Sequence, residues 1–77
     1  MHMDRATLLQ HLAQAERHVA EGQRHVTKQE ALIAELDQDG HDTTEAHKML
    51  ATLRHTQRLH VQDVKRILAE LVGPLQK

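Results

Sequence analysis

Eight of the 77 residues are histidine, and imidazole has the widest chemistry at neutral pH: metal ligation, proton transfer and charge switching. Three of the eight, His11, His18 and His25, recur every seven residues. Seven residues advance a helix by about 10.5 Å, too far for three rings to meet on one metal. Ligands on a single helix stand three or four apart, and no two histidines here have that spacing. Mixed pairs do: Glu21 with His25, and His60 with Asp63. A metal site must then be assembled across helices, with Glu21, His25 and His60 as its candidate ligands. The competing reading makes the evenly spaced rings spacers beside a helical seam. His60, together with Gln29 and Gln57, becomes a buried polar layer that fixes register at some expense of stability. A pH response follows if His60 is fully buried. Burial disfavours the imidazolium, so the fold would lose stability as pH falls below the ordinary imidazole value near 6.5. Met1-His2-Met3 reads as an added leader ahead of a start at Met3, which leaves His2 without a role.

Catalytic chemistry has little to work with. The chain holds no Cys, Phe, Trp or Tyr, and neither Ser nor Asn occurs anywhere in it. Thiolate nucleophiles, thiolate zinc sites, disulfides and serine triads are excluded. No glycine-rich phosphate loop or dinucleotide fingerprint is present. Paired carboxylates such as Asp37 and Asp39 sit by an exposed turn, where solvation explains them. The expectation is no enzyme, no cofactor and no catalytic residue.

The elements that must carry these side chains are helices. Helical patterning breaks in the interior only at Gln38-Asp39-Gly40-His41-Asp42-Thr43. Gly40 suits the left-handed position past a helix end. Asp42-x-x-Glu45 has capping-box spacing, and Asp4 can cap the first helix. Gly73-Pro74 is a stop signal. The spacing predicts helix 4–37, turn 38–42, helix 43–72 and a tail 73–77. Leu12, Val19, Val26 and Ile33 recur by sevens, as do Leu8, Ala15, Gly22, Gln29 and Leu36. In the second helix the rows are Leu50, Gln57, Val64, Leu71 and Ala46, Leu53, His60, Ile67. These are the a and d rows of a coiled coil. A short turn makes the helices antiparallel, and pairing outward from it sets Gly22 opposite His60, leaving room for the ring. The fold class is therefore all-α, an antiparallel, coiled-coil-like two-helix hairpin in one domain.

A two-helix hairpin buries too little to offset chain entropy of about 1.5 kcal/mol per ordered residue. Leu9, Leu32, Met49, Val61 and Leu68 lie beside the seam and are candidate interface residues. The simplest second layer is a second copy, giving a homodimeric four-helix bundle; another protein's helix is the other occupant considered. The expected function is a non-catalytic structural or protein-interaction module.

Charge supplies the alternative. Ten basic and eleven acidic side chains give a net −1, but residues 1–38 hold four basic and six acidic, and residues 46–77 six basic and two acidic. Lys48, Arg54, Arg58, Lys65 and Arg66 on the second helix form a candidate nucleic-acid face. The acidic partner helix and the missing aromatic stacking residues weigh against it. No apolar run approaches the roughly 18 residues of a membrane span, and the cytoplasm is the expected compartment. The string His11-Leu12-Ala13-Gln14-Ala15-Glu16-Arg17-His18-Val19-Ala20-Glu21-Gly22, followed by Gly40-His41-Asp42-Thr43-Thr44-Glu45-Ala46, resembles small helical-hairpin proteins encoded in rhizobial and related alphaproteobacterial genomes. That group has no assigned activity, so the resemblance implies a bacterial origin and no site residue.

Overall fold

A computed structural model describes residues 4–73. Two helices, α1 (Arg5–Gln38) and α2 (Thr44–Val72), pack against each other as an all-α hairpin. The hairpin measures 57 × 19 × 18 Å, the length expected of helices rising about 1.5 Å per residue. Both helices begin one residue later than the sequence spacing places them, because Asp4 and Thr43 are caps rather than helical residues.

Local chemistry fixes each end. Asp4 Oδ1 accepts the backbone N–H of Thr7 at 2.7 Å, satisfying one of the orphan donors of the first turn. That bond, followed by one from the Thr7 side chain, holds the Asp4 carboxyl below its ordinary value. α1 ends in a Schellman turn. The N–H of Gly40 donates to the carbonyl of Asp37, and the N–H of His41 to that of Leu36. Gly40 sits at φ 76°, in the left-handed region a side chain would strain.

The start of α2 departs from the expected capping box. Asp42 Oδ1 accepts the hydroxyl of Thr44 at 2.7 Å and its N–H at 3.0 Å, and these bonds lower the Asp42 pKa. Glu45 does not reach back to complete the box; it pairs with Lys48 at 3.1 Å. An Asx-type turn replaces the reciprocal cap because the Thr44 hydroxyl and amide both lie within reach of Asp42. At the far end Gly73 stays right-handed (φ −53°, ψ −47°) and bonds the carbonyl of Ala69. It does not supply a left-handed stop, and Pro74, with the rest of the expected tail, lies outside the described residues, as do Met1, His2 and Met3.

The seam follows the two heptad rows. Leu8, Ala15, Val26, Leu50 and Ile67 are the buried hydrophobic side chains among the described residues, and all five belong to those rows. The remaining row members are half-buried. One contiguous cluster, Leu8, Ala15 and Ile67 with Leu12, Val64 and Leu71 packed against it, occupies the end away from the turn. Ile67 is 1% exposed, the most enclosed of all.

Candidate functional site

Polar side chains interrupt the seam at its middle. Gln29 Nε2 donates to the carbonyl of Ala46 at 3.0 Å. Gln57 Nε2 donates to the carbonyl of Val19 at 2.7 Å. Both are cross-helix bonds from part-buried side chains to backbone, so each ties one helix to a specified level of the other. Gln57 Oε1 is buried without a hydrogen-bond partner among the described residues. It sits where a Cβ on Gly22 would stand. Gly22 therefore makes room for the Gln57 amide and not, as the outward pairing expects, for the His60 ring. In an antiparallel pair the a row of one helix interleaves with the d row of the other. Gly22 on a d row thus meets Gln57 on an a row.

The same interleaving moves His60. Its ring lies beside His18, with centroids 5.2 Å apart and planes inclined at 49°. His60 is half-buried rather than enclosed, and among the described residues its ring makes no hydrogen bond. The expectation of a buried, hydrogen-bonded His60 layer is corrected accordingly: Gln29 at the level of Ala46 and Gln57 at that of Val19 supply separate polar cross-helix bonds, and His60 looks outward to a flank. The premise of a pH response through full burial of His60 goes with it.

That flank carries the histidine row. His18, Glu21, His25 and His60 line a shallow groove of about 180 Å³ beside Gly22 and Gln57. His11 and His18 line a neighbouring groove of about 210 Å³ with Asp63 and Arg66. Glu21, His25 and His60 are thus brought to one groove. Among the described residues, however, no group of three or more His, Asp or Glu side chains is arranged to hold a metal ion. His18, outside the ligand set read from the sequence, is the residue nearest His60 by ring geometry. The signal that finds it is the row interleaving, which sets His18 and His60 at nearly the same level.

The proposed interface residues divide. Leu9, Val61 and Leu68 share the e positions, on the flank where Glu30 and Arg54 meet across the helices at 2.8 Å. Leu32 and Met49 occupy g positions, on the histidine flank and nearer the turn. Leu9, Leu32, Met49 and Leu68 are exposed and Val61 is half-buried. Leu59 and Val72 are exposed as well; the heptad rows leave both on the outer surface of α2, so seam-based reasoning passes over them.

Three of the five candidate nucleic-acid cations are engaged by carboxylates. Lys48 holds Glu45, Arg54 holds Glu30, and Arg66 bridges Asp63 and Glu70. The Asp63 hydrogen bond and charge, with a smaller contribution from Glu70, raise the Arg66 pKa above its usual value. Arg58 and Lys65 make no ion pair among the described residues and stand seven apart on one line of α2. These pairs are solvent-exposed, so each contributes about 0–1 kcal/mol and remains exchangeable.

Among the described residues no helix is long and apolar enough to cross a membrane. Comparisons with protein-family models, curated proteins and solved structures found no match.

Proposed function

We propose that this protein is a non-catalytic structural or interaction module that works by self-association of its helical hairpin. One observation carries the reading: the seam buries only Leu8, Ala15, Val26, Leu50 and Ile67 among the described residues, while Leu9 and Leu68 stand 46% and 45% exposed on one flank with Val61. A second copy of the chain covers that flank. A self-complementary two-fold contact needs the same patch on both partners, and the helices already differ in charge sign. Setting the acidic α1 of one copy beside the basic α2 of the other satisfies both conditions. The bundle so formed supplies the second layer that a lone hairpin lacks. Leu32 and Met49, on the other flank, fall outside this contact. A bacterial cytoplasmic setting belongs to the same reading, supported by the resemblance carried by residues 11–22 and 40–46.

Sedimentation equilibrium of the full chain at micromolar concentration tests it. A dimer mass is expected, and Leu68→Glu should reduce that mass to the monomer's by placing a charge at the centre of the flank. A folded wild-type monomer, or a Leu68→Glu variant that keeps the wild-type mass, rejects the reading. The nucleic-acid alternative ranks lower because, among the described residues, three of its five cations are held by carboxylates and only Arg58 and Lys65 are not.

A further inference from the structure

We infer that His18 and His60 form a two-imidazole clamp across the helices for a divalent transition metal of the zinc or copper class. Three features of the molecule converge on it. The first is distance. A metal–nitrogen bond of about 2.0–2.1 Å places each ring centroid about 3.2 Å from the ion, so two imidazoles on a tetrahedral metal have centroids about 5 Å apart. The observed separation is 5.2 Å. The second is availability. His47 spends a ring nitrogen on the carbonyl of Thr43 at 3.0 Å, whereas the rings of His18 and His60 have no hydrogen-bond partner among the described residues. Their lone pairs are unclaimed.

The third is placement. Both rings line the 180 Å³ groove, which is open to solvent and also lined by Glu21 and His25. Glu21 stands three residues after His18 and lends the groove negative charge, which favours a cation. Asp63 and Arg66, beside His18 in the adjacent groove, are paired with each other and nearly cancel. With no three-residue ligand group among the described residues, water would complete the coordination, as in an open rather than a closed structural site.

Because one ligand comes from each helix, the clamp exists only in the folded hairpin. Metal binding is then coupled to folding. The clamp lies within one chain, so it stands whether or not two hairpins associate through the leucine flank.

Zinc titration of the full chain at pH 7.5, followed by calorimetry and thermal melting with sedimentation run in parallel, tests the clamp. One equivalent should bind per chain. At a hundredfold excess over Kd the melting temperature should rise by about 10 °C or more. His18→Ala, at an exposed position, should abolish the rise without altering the metal-free melt, and His60→Gln should abolish it too. His11→Ala should leave it intact. A zinc-independent melt overturns the clamp. So does a zinc effect that survives His18→Ala, or one lost equally in His11→Ala. Loss in His25→Ala with retention in His18→Ala also overturns it, in favour of a Glu21, His25 and His60 site. A mass change on adding zinc that persists in His18→Ala counts against the clamp, while the metal-free mass separately decides self-association.

Discussion

Gly22 and Gln57 act as one unit. A Cβ at position 22 would displace the Gln57 amide, breaking its bond to Val19, at a cost of about 1 kcal/mol. Alanine recovers about 1 kcal/mol of helix propensity over glycine, and the displaced Oε1 regains water. These effects cancel, so Gly22→Ala alone should lie within about 0.5 kcal/mol of the wild type. In a Gln57→Ala background nothing is displaced, and the same change should stabilise by about 1 kcal/mol. A double-mutant cycle by urea unfolding reads the difference. Additive substitutions would mean that glycine and amide do not share the space. At the same scale, Asp4 gives the acid limb of stability its sign. Its folded pKa lies below its ordinary 3.8, so its stabilisation is complete above that value and lost as pH falls through the lowered one. Asp4→Asn keeps a capping oxygen and should flatten this acid limb in thermal melts between about pH 5 and pH 2.5. An unchanged acid limb would assign it elsewhere, with Asp42 the first candidate.

At the scale of elements, periodicity made the helices legible, because burial along a two-helix seam is decided by spacing alone. The rows through Leu12 and Leu8 in α1, and through Leu50 and Ala46 in α2, name the residues that the fold encloses. Gly40 was legible for a similar reason: only one residue type is unstrained at φ 76°. What escaped were the relations between elements. Interleaved rows put Gly22 against Gln57 and His18 beside His60, a difference of a few residues in level from the pairing counted outward from the turn, which set like rows opposite each other. The Asx turn at Asp42 escaped too, since Asp42-x-x-Glu45 is compatible with a capping box and with an Asx turn, and the competition is settled by the Thr44 hydroxyl. Candidate site residues were legible as types and not as neighbours. Periodicity put His60 in the seam, but its partner came from the row beside it.

At the scale of the whole molecule, the two flanks of the hairpin have separate chemistries. Leu9, Val61 and Leu68 lie on the side of the Glu30–Arg54 pair, and His11, His18 and His25 lie on the other, with Leu32 and Met49. The proposed assembly through the first would leave the grooves of the second facing solvent, so Leu68→Glu should alter the proposed association and His18→Ala the proposed metal binding independently.

The position of the best-packed cluster has a kinetic consequence. Leu8, Ala15 and Ile67 come together at the end farthest from the turn, so theirs is among the longest loops the chain closes. Turn 39–43 closes the shortest and is organised by its own hydrogen bonds. Loop entropy makes the short closure early and the long one late. The chain should therefore zip from Gly40 outward, with its tightest core assembling last, as a clasp. Gly40→Ala, costing about 1–2 kcal/mol through its left-handed φ, should mostly slow refolding. Ile67→Val, costing about 1 kcal/mol, should mostly accelerate unfolding. Stopped-flow chevrons of the two variants separate the arms; the reverse assignment would mean that folding starts at the open end. The residue that holds the native hairpin shut longest is then one that contributes little to how quickly it forms.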